Sequence, residues 1–202
     1  MPDTFFISVD IEATGPAPGP FSMVSIGAWV IGEQETFYAE LKPISERYDE
    51  AAMRVAMPGR THEELYESGE APEEVMARFA EWVDDQRREH DATPVFVAHN
   101  APFDWMFVAW YLWTYVGRNP FGWAAIDTRA LFMGMTGAGW EQTRLSDIKR
   151  LYRCKRAHKH HALADAIEQG DLFDRMNQVL EGQPDPGARS KSELPKVPRV
   201  ES

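Results

Sequence analysis

At 202 residues, 44% of them hydrophobic and 12% aromatic, the chain has the composition of a soluble globular protein and the length for one domain with a sizeable core. No apolar run approaches the roughly 18 residues of a membrane span, the first residues lack the basic start and apolar middle of a signal peptide, and the lone Cys154 excludes a disulfide framework or a multi-Cys zinc site, so a cytoplasmic protein is expected. The formal net charge of −11 argues against a protein that grips nucleic acid over a broad surface, because neutralising phosphates takes Lys and Arg.

The first predicted element is a strand over Phe5 to Glu12, whose alternation puts Phe6, Ser8, Asp10 and Glu12 on one face and Ile7, Val9 and Ile11 on the other. Asp10 and Glu12 lie about 7 Å apart along such a strand, close enough for their oxygens to converge on one divalent cation or straddle two. Hard oxygen ligands of this kind suit Mg²⁺ or Mn²⁺ rather than zinc. An Asp-x-Glu pair alone is common, and a strand ending in solvent would show it equally.

Residues 13–20, rich in Gly and Pro, read as a loop. Strands over Ser22 to Ile31 and Thr36 to Leu41, joined by a turn at 32–35, complete an antiparallel meander. Short helices follow over Tyr48 to Val55 and Thr61 to Ser68, then a longer one from Pro72 to about Arg88 with Val75, Met76, Phe79, Ala80 and Val83 as its core stripe. Pro94 to Val97 reads as a short buried strand. The turn after it leads into a helix with Pro102 in its first position, Asn100 or Ala101 as its cap and Asp104 in its first turn, where the helix dipole favours a carboxylate. That helix runs to Val116, is apolar nearly all round, and is therefore expected to be buried.

Trp123 to Asp127 is a fifth candidate strand, with a helix from Thr128 and a flexible connection at 134–139. Leu145, Ile148 and Leu151 mark a further helix. It leads through Lys149, Arg150, Arg153, Lys155, Arg156 and Lys159, six of the chain's 21 basic residues within eleven positions, into a last helix reaching about Leu180. From Glu181 onward Pro, Gly, Ser and charge dominate, so the domain is expected over 1–180 with a flexible tail over 181–202. The succession of elements describes an α/β domain with a mixed sheet.

Three segments, Asp10-Ile11-Glu12-Ala13-Thr14-Gly15, His99-Asn100-Ala101-Pro102-Phe103-Asp104 and His160-His161-Ala162-Leu163-Ala164-Asp165, resemble in order and type the motifs of the DEDDh, or DnaQ-like, 3′-5′ exonucleases. The resemblance covers about residues 5–180. It implies a ribonuclease H-like fold, a five-stranded mixed sheet of three antiparallel strands then two parallel ones, flanked by helices. It also implies a phosphodiester hydrolase that releases nucleoside 5′-monophosphates from 3′ ends. Asp10, Glu12, Asp104 and Asp165 would be the metal ligands, since four carboxylates in one site are costly unless cations compensate them. Two Mg²⁺ or Mn²⁺ ions would do so and would stabilise both oxygens of an in-line displacement.

A neutral imidazole suits the role of general base toward water. His160 is five residues before Asp165, about 140° round a helix, and so belongs in the loop ahead of it, free to swing toward the metals. His161, four before Asp165, could share its face. The spacing favours His160 as the base. The resemblance places the terminal nucleotide on the loop of Glu12, Ala13 and Thr14, with Phe103 against its base or sugar; His99 is expected to orient the loop around Asp104. Lys155, Arg156 and Lys159 would meet substrate phosphates. Several relatives place a bulky Leu where this chain has Pro16, which leaves the mode of base stacking open. Short or single-stranded DNA or RNA ends are the expected partners, with no membrane, and a homodimer is compatible with the family. A catalytically silent binding or scaffolding module of the same fold is the alternative, against which the presence of all four acids and the histidine speaks.

Overall fold

The structure, a computed structural model, describes residues 3–152 and 160–182. Cys154, His158, the basic residues Arg153, Lys155, Arg156 and Lys159, and all but the first two residues of the expected tail lie outside the described residues.

Five strands form one sheet: β1 Thr4–Ala13, β2 Met23–Val30, β3 Thr36–Glu40, β4 Thr93–Ala98 and β5 Ala125–Asp127, in the order β3-β2-β1-β4-β5. The first three pair antiparallel as the meander required, while β4 runs parallel to β1 and β5 parallel to β4. This is the mixed ribonuclease H-like sheet that the sequence implied. The helices are α1 Glu50–Ala56, α2 His62–Ser68, α3 Pro72–His90, α4 Ala101–Tyr115, α5 Thr128–Thr136, α6 Leu145–Leu151 and α7 Ala162–Leu180, with a 3₁₀ turn at Trp140–Gln142.

Central position makes β1 buried on both faces. Ile7, Val9 and Ile11 enter the main core with Val75, Met76 and Phe79 of α3 and Phe107 and Val108 of α4. On the other face Phe6 meets Phe173 of α7 edge to face, and Ser8 is fully buried beneath the same helix. Two glycines let α7 lie this close. A Cβ at Gly27 would sit 2.2 Å from the backbone nitrogen of Leu163, and one at Gly170 would sit 2.8 Å from both Ser8 Cβ and the Trp29 ring. Any side chain there would lift α7, and with it Asp165, off the sheet.

Several expectations are corrected by packing. The α4 helix is apolar all round, yet Met106 and Trp113 are 37% and 46% exposed. Trp123 lies outside β5 and is 83% exposed, its ring stacked on Trp113. The α5 helix runs through Gly134 and stops at Gly137, which is left-handed (φ 70°), so the flexible connection is shorter than its glycines suggested. Leu151, which marked the helix with Leu145 and Ile148, is exposed, and so is Leu180 at the end of the last helix. No helix among the described residues is long and apolar enough to cross a membrane.

Candidate active site

The pairing of β1 with β4 stops at Ser8 and Val97, and the acids stand just beyond that point. Gln169 of α7 holds the splayed strand ends together: its Nε2 donates to Val9 O at 2.8 Å and its Oε1 accepts from His99 N at 2.6 Å. Asp10 and Glu12 continue along β1, paired there with Gly27 and Ser25 of β2, before a register shift at Ala13.

Asp104 is brought in by α4. That helix starts at Asn100 in the left-handed region (φ 64°), a conformation Asn tolerates well, without a side-chain cap. The backbone N–H of Ile11 donates to Asp104 Oδ1 at 3.1 Å, which ties the third carboxylate to the stretch of backbone that joins the first two. Asp165 comes from the first turn of α7 and accepts from His161 N at 3.2 Å. Both carboxylates thus sit at helix N-termini, where partial positive charge favours them.

All four acids and His160 line one cavity of about 270 Å³, together with His99 and Phe103. One ligand atom each of Glu12, His160 and Asp165 lie within 4.8 Å of one another, close enough to share a metal ion. Burial pushes Asp10 well above the usual carboxylate range, and Asp104, Asp165, Glu12 and Glu168 add repulsion. Glu12 is pushed up to about 8 by burial, then by Asp165 and Asp104. Asp104 rises to about 7 through burial, against which the Ile11 N–H works. A protein surface alone therefore does not hold these groups ionised together; an oxygen-rich donor set under this repulsion fits hard divalent cations.

The two histidines part company. His160 is exposed, has a left-handed backbone (φ 47°) and lines the cavity. His161 caps α7, its Nδ1 accepting from Ala164 N at 3.5 Å, and its ring stacks on Tyr38. His99 meets Thr128 Oγ1 through Nδ1 at 3.0 Å, tying the end of β4 to α5.

Beside the acidic cavity lies a second cleft of about 550 Å³ that shares Ile11, Glu12 and Phe103 with it. Ala13, Pro16 and, from α1, Ala51, Ala52 and Val55 give it an apolar wall. Thr14 is fully buried, its Oγ1 accepting from Ser22 N at 2.9 Å, so its side chain shapes the loop from beneath instead of facing the cleft. Of the basic cluster, Lys149 turns inward to a nearly buried 2.6 Å ion pair with Glu168, and Arg150 pairs with Asp147. Lys149 is thereby committed to the fold, whereas the Arg150 side chain stays largely exposed. Lys155, Arg156 and Lys159 lie outside the described residues.

Sequence reasoning missed Gln169, Glu168 and Tyr38. A signal for the first two was present: they lie three and four residues after Asp165, on the one stripe of α7 that is both polar and buried.

A model of the RNase_T exonuclease family matches residues 7–173. The chain is 42% identical over 177 residues to the 3′-5′ DNA exonuclease Cap18 of Escherichia coli, covering 87% of this chain and 93% of that protein. Among solved structures, the nuclease domain of 3′hExo, a DEDDh family member bound to rAMP, superposes with a TM-score of 0.70 at 13% identity over 92% of this chain and 96% of that one. E. coli exonuclease I in complex with a dT13 oligonucleotide gives a TM-score of 0.64 at 18% identity, over 89% of this chain and 43% of that one. At such identities the two structures establish the fold.

Proposed function

The chain belongs to the RNase_T exonuclease family and is a 3′-5′ exonuclease, and we propose that it removes nucleoside 5′-monophosphates from the 3′ end of single-stranded or short DNA in the cytoplasm. The observation that carries this reading is the convergence of Asp10, Glu12, Asp104, Asp165 and His160 on one cavity from three distant parts of the chain. The choice of DNA is supported by the 42% identical relative, itself named a DNA exonuclease. The net charge of −11 supports a short or single-stranded end over wide duplex contact.

Two divalent cations, Mg²⁺ or Mn²⁺, held by the four carboxylates would supply charge neutralisation and Lewis acidity toward the phosphodiester. The chain's own residues do the rest. His160, on an exposed left-handed residue at the cavity mouth, takes the proton of the attacking water. Phe103, common to both cavities, holds the terminal nucleoside in the α1 cleft, whose Pro16, Ala51, Ala52 and Val55 recognise a flat apolar base by shape. Small side chains there take the place of a bulky wedge. His99, anchored on Thr128, supports the turn that carries Asp104. Lys155, Arg156 and Lys159 contact the phosphates of the incoming strand.

End-labelled DNA and RNA oligonucleotides of matched sequence, incubated with Mg²⁺, Mn²⁺ or chelator, test this. Stepwise release of 5′-deoxynucleotides from the 3′ end, abolished by chelator and faster than on RNA, is expected. Binding without cleavage in either metal would leave a silent module instead.

A further inference from the structure

In α5, which follows the edge strand β5, the guanidinium of Arg129 lies over the ring of Trp140, 3.9 Å from its centroid. Resting on the proposed exonuclease reading, we infer that this pair is a stacking platform for the base of the nucleotide immediately 5′ of the scissile phosphate.

The platform is held rigidly. Arg129 Nε donates to Thr143 Oγ1 at 3.1 Å, and that buried hydroxyl in turn donates to Trp140 O at 2.7 Å. The backbone N–H of Arg129 donates to Asp127 Oδ1, the same oxygen that accepts from Asn100 N at 3.0 Å. Asn100 lines the acidic cavity, and so does Leu145, two residues after Thr143. The platform is therefore tied to the cavity rim at two points.

Trp140 is 50% exposed although Arg129 covers part of it. An indole left half in water with a cation laid on it is a poor core residue and a good base platform, since every nucleobase offers a π-face and Arg adds a cation–π contact. In a chain of net charge −11, this cation is given to an aromatic ring beside the site that needs a polyanion. The topology sets the register. The cleft for the terminal nucleoside lies by β1 and α1, the acids stand at the end of β1, and Arg129 follows two residues after the end of β5, a strand two spacings or roughly 10 Å across the sheet from β1. A strand that places its last nucleoside in the cleft and its scissile phosphate over the acids carries its next base to Trp140.

The test compares wild type, Trp140→Ala, Trp140→Phe and Trp123→Ala on two DNA oligonucleotides, one fully based and one abasic at the penultimate position. Binding is read by fluorescence anisotropy with a 3′-terminal phosphorothioate, and terminal nucleotide release is read in a single turnover. Trp140→Ala is expected to weaken binding of the fully based strand about 5- to 100-fold. That loss should disappear on the abasic strand, and Trp140→Phe should retain most of the affinity. Trp123→Ala, at an 83% exposed ring outside the site, should match wild type. Equal binding by Trp140→Ala and wild type, or an equal loss on both strands, overturns the inference while leaving the exonuclease intact. A wild type that releases no nucleotide from either strand overturns the exonuclease reading and the platform with it.

Discussion

The imidazole of His161 stacks on the phenol of Tyr38, ring centroids 4.6 Å apart and planes 19° from parallel, and so is committed to the fold one residue away from the histidine that faces the acids. Tyr38 is fixed in turn by its hydroxyl, which donates to Glu40 Oε1 at 3.0 Å, and Glu40 pairs with Arg60. The stack and the cap leave His160 at a left-handed residue that directs the chain into the first turn of α7.

The two histidines should therefore fail differently when removed. His160→Asn, which tolerates the left-handed backbone, is predicted to lower kcat by about 10²- to 10⁴-fold with an unchanged melting temperature. His161→Ala loses a cap and a stacked ring, together about 1–3 kcal/mol of stability, with the smaller effect on kcat. Saturating-metal kinetics beside thermal melts read both. A His160→Asn enzyme as fast as wild type would remove His160 as the base.

The acidic cavity should make the metal-free fold sensitive to pH in an unusual direction. In the unfolded chain its carboxyls lose their protons near pH 4, whereas in the metal-free fold Asp104 and Glu12 hold theirs to about 7 and 8. The unfolded state thus binds fewer protons across this window, and stability falls as pH rises from about 4 to about 8. Cations need the ionised acids, so the rise in melting temperature on adding Mn²⁺ should grow with pH over the same range. In chelator, Glu12→Gln should melt above wild type at pH 8. A melting temperature in chelator that climbs from pH 5 to pH 8, unaltered by Glu12→Gln, would contradict this account.

Gln169 is the mortar between β1 and β4 at the point where they part. Replacing it with Leu leaves the His99 N–H and the Val9 carbonyl without the partners they have here, at a cost of about 1–3 kcal/mol. Because those groups adjoin Asp10 and Asn100, Mn²⁺ affinity should weaken along with stability. Denaturant unfolding and metal titration by calorimetry would show the two losses together; an unchanged metal affinity would confine Gln169 to holding the sheet.

Gly27 sets the height of α7 above the sheet. Gly27→Ala drives a methyl into the Leu163 backbone, and an overpacked site of this kind costs about 1–3 kcal/mol or more. The lifted helix carries Asp165 with it, so the metal-induced rise in melting temperature should shrink. Gly134→Ala is the counterpart: it lies inside α5 with open space around it and should stabilise the protein by roughly 0.5–1 kcal/mol without touching the metal response.

Local chemistry by itself determined most of the elements. Alternation in β1, the turn residues after it, Pro72 and Pro102 at helix starts and the helical stripes depend on neighbours within a few positions, so they are readable from the chain alone. Asp10, Glu12, Asp104, Asp165 and His160 were named instead through three short motifs and their resemblance to a known family, because each acid taken singly has an ordinary structural explanation that only the set outweighs. What the sequence did not hold was contact across the chain. That Lys149 would turn inward to Glu168, that His161 would be spent on Tyr38, and that an all-apolar α4 would leave Met106 and Trp113 in water are decided by which surfaces the packed layers cover. Burial and pairing are properties of two partners at once, and only the tertiary structure names the second.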